Sequence, residues 1–146
     1  MFKGWASRLL GKGQGQGSGQ GGEVAGRSTK QLGDVAEQRA LTHLQRQGLT
    51  LVQRNYRLAG GPQRHGAEID LIMTAPDGTL VFVEVRARRN ANQGGAAASV
   101  TWQKQQRIVR AAQHFLLRYA VLPPCRFDVV AIDGDELQWL AGAFGS

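Results

Sequence analysis

The alternation of apolar and polar positions is densest between residues 66 and 89, reading G-A-E-I-D-L-I-M-T, then A-P-D-G, then T-L-V-F-V-E-V-R-A-R-R. β-Branched and aromatic residues fill both arms, and Pro76-Asp77-Gly78 supplies turn chemistry between them, so the stretch predicts two strands of a hairpin. Strand side chains alternate between faces. Glu68 and Asp70 are therefore expected on one face of the first arm, with Ile69, Leu71 and Met73 on the other. In the second arm Glu84, Arg86 and Arg88 share a face opposite Val81, Val83 and Val85. Three acids and guanidinium groups thus fall together in a segment apolar enough to be buried on both sides. Buried charge is costly, so the group requires partners or a metal.

Around this hairpin the same pattern predicts the remaining elements. Ser28-Thr29-Lys30-Gln31 fits a capping box, and Leu32, Val35, Ala36, Ala40 and Leu44 follow as the apolar stripe of a helix that Gly48 terminates. Glu37 lies at the edge of that stripe, either solvated or aimed at whatever the helix covers. Leu49 to Tyr56 reads as a strand, and residues 89 to 98, small and polar, as a mobile loop. Ser99 or Thr101 caps a second helix running to Tyr119, with Ile108, Val109, Ala112, Phe115, Leu116 and Tyr119 inward. After Pro123-Pro124 come a strand over Arg126 to Ile132, a turn at Asp133 to Glu136, and a short strand from Leu137 to Leu140. The order is αβββαββ. A strand-helix-strand passage implies a parallel pair, so the class is α/β with a mixed sheet and helices packed on it.

Ahead of residue 28 the pattern fails. Gly11 to Gly22 holds only Gly, Gln, Ser and Lys, which makes residues 1 to 27 a disordered, basic Gly/Gln-rich tail before a single domain over 28 to 146. Phe2, Trp5, Ala6 and Leu9 recur at helical spacing among basic residues and would suit a short amphipathic contact peptide. No apolar run is long enough to span a bilayer, so no stable membrane insertion is expected. The one cysteine, Cys125, excludes an internal disulfide, suits a cytoplasmic location, and reads as a small packed hydrophobe. Eighteen Lys and Arg against eleven Asp and Glu give a net charge of +7, which favours a polyanionic partner such as nucleic acid.

Several basic residues could serve such a partner. Arg54, Tyr56 and Arg57 interleave as in a phosphate-and-base contact, although a polar strand edge looks the same. His65 stands beside the acidic strand and is either a base or phosphate contact, or an exposed loop residue. A crossover helix starts near the carboxyl end of the strand before it. That brings Lys104, one turn into the second helix, towards Glu84 and Arg86 at an amino end suited to phosphate; the alternative is a solvated helix face.

Asp70, followed fourteen residues later by Glu84-Val85-Arg86, resembles the Asp…Asp/Glu-x-Lys pattern of restriction-endonuclease-like nucleases. A wider string is more specific: G33-D-V-A-E37, G66-A-E-I-D-L-I, V81-F-V-E-V-R-A-R-R, G94-G-A-A-A-S-V-T, K104-Q, R126-F-D-V-V and A143-F together resemble the uncharacterised bacterial YraN family over residues 31 to 144. The resemblance implies a restriction-endonuclease-like fold similar to archaeal Holliday-junction resolvases. It also implies a metal-dependent endonuclease acting on DNA, including branched or junction structures. By position it assigns catalysis to Asp70, Glu84, Arg86 and Glu37, and Mg²⁺ or Mn²⁺ binding to Asp70, Glu84 and Glu37, with Glu68 in reserve. Lys104, Arg88, Arg89, Arg57 and His65 become the nucleic-acid contacts, and a homodimer would supply the two cuts a junction needs.

Two departures bear on activity. Arg86 replaces the usual Lys; it can clamp phosphate but stays protonated near neutral pH, so a catalytically inactive nucleic-acid-binding module is the alternative expectation. Ala67 intrudes in the usual G-E-I-D, where a bulge is expected.

Overall fold

The structure, a computed structural model, describes residues 28–88 and 100–145. The expectations for the tail, for the loop after Arg88 and for Arg89 lie outside those residues. The elements are α1 (Thr29–Arg46), β1 (Thr50–Leu58), β2 (Ala67–Thr74), β3 (Leu80–Arg88), α2 (Trp102–Leu116), β4 (Cys125–Asp133) and β5 (Glu136–Phe144). They form one five-stranded sheet in the order β1-β2-β3-β4-β5. Only β3 and β4 run parallel, in unbroken register from Leu80↔Cys125 to Arg88↔Asp133, and the other neighbours are antiparallel. The expected αβββαββ order and mixed sheet are what the chain adopts.

Each helix covers one face of the sheet, and this sets where the core lies. Ala36, Ala40, Leu41 and Leu44 of α1 pack with Leu71, Met73, Val81, Val83, Val85, Val130 and Ile132. Ile108, Ala111, Ala112 and Phe115 of α2 pack with Tyr56, Ile69, Ile72, Leu80 and Phe82 on the other side. With both faces covered, β2 and β3 are buried along nearly their whole length. The Ser28 hydroxyl accepts the Gln31 N–H while the Gln31 side chain accepts the Ser28 N–H, the expected capping box. Gly48 leaves the helix at φ 96°, a conformation glycine adopts without strain. The hairpin closes through Gly78 N–H to Ala75 O (2.9 Å) and Ala75 N–H to Thr79 O (2.8 Å).

Several local expectations change. Val35 faces solvent and Glu37 is buried in its place, because the buried arc of α1 runs through Ala36, Glu37, Ala40, Leu41 and Leu44. The second helix ends at Leu116, and Thr101 is its cap. Cys125 is exposed, since it begins β4 at the sheet's end. Strand β5 continues to Phe144 because its pairing with β4 resumes at Phe127↔Phe144 beyond an irregularity. That irregularity is anchored by Asp128, whose carboxylate accepts Gly142 N–H (3.0 Å), Trp139 Nε1–H (2.9 Å) and Arg126 Nε–H (3.1 Å). Ala67 makes no bulge and pairs in register with Leu58.

The largest correction concerns the faces of β2. Ile69 packs on the α2 side with Ile72, whereas Leu71 and Met73 pack on the α1 side, so alternation breaks at Asp70. Two features coincide there. The β2–β3 register runs from Thr74↔Leu80 to Leu71↔Val83 and, among the described residues, goes no further. On the other flank the register Arg54↔Leu71 and Tyr56↔Ile69 places Asn55 opposite Asp70, and Asn55 has φ 54°.

Candidate acidic site at the opening of the central hairpin

The break in β2 is what builds the site. Where the β2–β3 ladder stops, the Asp70 carboxylate takes over the role of a backbone partner and accepts the Val85 N–H at 2.8 Å. Asp70 is thereby fixed to β3 beside Glu84, and both are buried, with 3% and 1% of their surface exposed. Burial pushes the Asp70 carboxyl well above the usual carboxylate range, and the neighbouring charges of Glu84, Glu37 and then Glu68 push the same way. Acids from α1, β2 and β3 therefore all act electrostatically on Asp70.

Arg86 lies two residues beyond Glu84 on the same face of β3, with 2% of its surface exposed. Burial pulls its guanidinium down to about 9, while the charges of Glu84 and Asp70 oppose that fall. It remains a cation at neutral pH. An ordinary arginine stays charged through any accessible pH; here withdrawal from water, with the nearby charge of Arg88, lowers that limit.

The sequence-predicted residues divide into those the fold assembles and those it does not. Glu37, Asp70, Glu84 and Arg86 are brought together in the interior. Glu68 joins them and also meets Arg57, whose Nε lies 3.6 Å from Glu68 Oε1 with the arginine largely exposed at the edge strand. Arg88 ends β3, where its charge still acts on Arg86 and its carbonyl accepts Gly134 N–H (2.9 Å). Lys104 is partly exposed in the first turn of α2, and its N–H is taken by the Thr101 hydroxyl (3.3 Å). His65 is exposed and meets α2 through its backbone, its carbonyl accepting from the Arg110 guanidinium.

Asn55 was not singled out from the sequence. Among the described residues it is the one non-glycine with positive φ, and its side-chain Oδ1 is buried without a hydrogen-bond partner. The signal was available: asparagine is depleted in strands and enriched in the left-handed region, so its place in the run Val52-Gln53-Arg54-Asn55-Tyr56 marked an irregular position.

Hard carboxylate oxygens suit Mg²⁺ or Mn²⁺, and mutual repulsion of buried acids is what a divalent cation would relieve. Among the described residues, no three Asp, Glu, His or Cys side chains converge as a ready ligand group. A cation held by fewer carboxylates than that would have to keep several waters as ligands.

Among the described residues, no helix is long and apolar enough to cross a membrane. No solved structure matches the chain. Curated relatives do, over most of their length. A UPF0102 protein of Methylibium petroleiphilum is 62% identical over 80% of this chain and 96% of its own. Another, of Albidiferax ferrireducens, is 60% identical over 80% and 89%, and one of an Acidovorax species is 57% identical over 84% and 91%. The family described as "Uncharacterised protein family UPF0102" matches residues 36–132, which include Glu37, Asp70, Glu84 and Arg86. On both counts the chain belongs to the uncharacterised protein family UPF0102.

Proposed function

We propose that the protein is a divalent-metal-dependent endonuclease that hydrolyses phosphodiester bonds in DNA, with branched or junction DNA as its preferred class. The observation that carries this reading is the fixing of Asp70 to the Val85 N–H, beside Glu84, where the β2–β3 ladder opens. Two oxygen donors meet there, the charge of a third acid, Glu37, acts on Asp70, and a buried cation, Arg86, lies two residues along β3. Asp70 and Glu84 would hold Mg²⁺ or Mn²⁺, which when bound supplies Lewis acidity for water and for the scissile phosphate. Arg86 would contact a phosphate oxygen and stabilise the negative charge that develops on it. Arg88, Arg57 and Lys104, with Arg89, would hold the flanking backbone, consistent with the +7 net charge. A homodimer would supply two such sites for paired cuts, and the cytoplasm is the proposed location.

Linear, single-stranded, flap and four-way-junction DNA should be offered to the purified protein with and without Mg²⁺ or Mn²⁺. Metal-dependent cleavage that disappears in Asp70→Ala supports the proposal. Cleavage unchanged in that variant would come from a contaminant and remove the support.

One observation favours a second reading. Arg86, even pulled down to about 9, cannot accept a proton at neutral pH, so the site lacks the base a lysine could provide. A binding module without turnover would show salt-sensitive DNA binding and no cleavage in either metal. Cleavage that appears only in Arg86→Lys would identify a site assembled for catalysis but held inactive by that residue.

A further inference from the structure

A concave feature lies between the loop joining β1 to β2 and the outer part of α2. It is a cavity of about 650 Å³, within the range that accommodates small ligands. Leu58 and Pro62 give it apolar walls, and Arg64, Arg110 and His114 give it basic ones. No carboxylate lines it.

Both walls are held in place. Gly61 N–H donates to Arg64 O (3.0 Å) and Arg64 N–H returns to Gly61 O (3.2 Å), closing the loop on itself. The closure needs glycine, because a Cβ on Gly60 would stand 2.5 Å from the Arg64 carbonyl oxygen. The Arg110 guanidinium ties α2 to this loop through the His65 carbonyl, and His114 Nδ1 is hydrogen-bonded to the Tyr56 hydroxyl. An apolar wall beside the tied Arg110 guanidinium and the Arg64 side chain of the closed loop suits a ligand with a flat ring at one end and negative charge at the other.

The register places this cavity close to the acids. Leu58 pairs with Ala67, which lies three residues before Asp70 along β2, roughly 10 Å at strand rise. Leu58 and α2 belong to the same side of the sheet as Ile69 and Phe82. Glu84 and Arg86 alternate with Val83, Val85 and Ala87 of the α1 side, so they too belong to the α2 side.

We propose that this cavity binds a nucleotide, its base against Leu58 and Pro62 and its phosphate on Arg64 and Arg110. As a subsite for one nucleotide of a DNA strand, it rests on the nuclease reading; as a site for a free nucleotide it does not. Titration calorimetry with deoxyadenosine monophosphate, inorganic phosphate and a short oligodeoxythymidylate separates these, with ¹H–¹⁵N shift mapping to locate the contacts. The full chain is used without added metal, and Asp70→Ala serves as a background in which cleavage is absent. Saturable binding of the mononucleotide is expected, with shifts confined to residues 58–66 and 110–114. Arg64→Glu should weaken it by about tenfold or more, while the thermal melt stays as in the wild type.

Loss of both mononucleotide and oligonucleotide binding in Arg64→Glu supports a strand subsite. Binding of the mononucleotide alone supports a site for free nucleotide. Absence of saturable binding to either probe overturns the proposal, as does binding indifferent to Arg64→Glu or inorganic phosphate binding as tightly as the nucleotide. Failure of DNA cleavage in every metal sinks the nuclease reading but leaves the free-nucleotide result standing.

Discussion

Replacing Asp70 by Asn isolates the electrostatic cost that the acidic site imposes on the fold. The amide oxygen can still accept the Val85 N–H at 2.8 Å, so the strand geometry is kept while the charge is removed. In the wild type, burial followed by Glu84 and Glu37 raises the Asp70 carboxyl well above 3.8. Between 3.8 and that raised value, the folded protein holds a proton that the unfolded chain has released. Stability from this source is greatest below 3.8, falls as pH rises through the window up to the raised value, and stays low above it. Each pH unit of that window is worth about 1.4 kcal/mol. In a domain of this size that is roughly 6 °C in Tm. Circular-dichroism melts of both proteins from acid to neutral pH should show the wild type losing Tm across the window relative to Asp70→Asn, which ends the more stable at neutral pH without metal. Millimolar Mg²⁺ should then raise the wild-type Tm and leave the variant nearly unmoved. Parallel pH curves, or a variant less stable than the wild type at neutral pH without metal, would refute the reasoning.

Other predictions concern positions that shape the sheet and the loop. At Asn55, held at φ 54°, Asn55→Val should be about 2 kcal/mol less stable than Asn55→Gly in urea unfolding, and equal stabilities would mean that the backbone there is not constrained. Asp128→Ala removes the acceptor shared by Trp139, Gly142 and Arg126 and should cost about 3 kcal/mol, with amide exchange accelerating first in β5. Gly60→Ala forces the loop away from the Arg64 carbonyl, costing about 1–3 kcal/mol and abolishing mononucleotide binding; a variant that melts and binds like the wild type would contradict the closure described above.

How much of this was legible in the chain depends on how local the determining physics is. The capping box at Ser28, the Gly48 exit, the turn at Pro76 to Gly78 and the apolar runs of β2 and β3 are set by neighbours within a few residues, and the sequence by itself determined them. The acids Asp70 and Glu84 were equally visible, because charge inside an apolar run is anomalous wherever it occurs. Their relation to one another was not. Strict alternation put Ile69 with Leu71 and Met73, but the break at Asp70 depends on Asn55 across the β1–β2 pair and on where the β2–β3 ladder ends. The burial of Glu37 in place of Val35 likewise turns on which arc of α1 the sheet accepts. The cavity between Pro62 and Arg110 joins residues that no sequence period connects. Period and capping report on one element at a time. What fixes Asp70 to Val85, and α2 to the loop before β2, is the meeting of separate elements, and only the tertiary structure decided that.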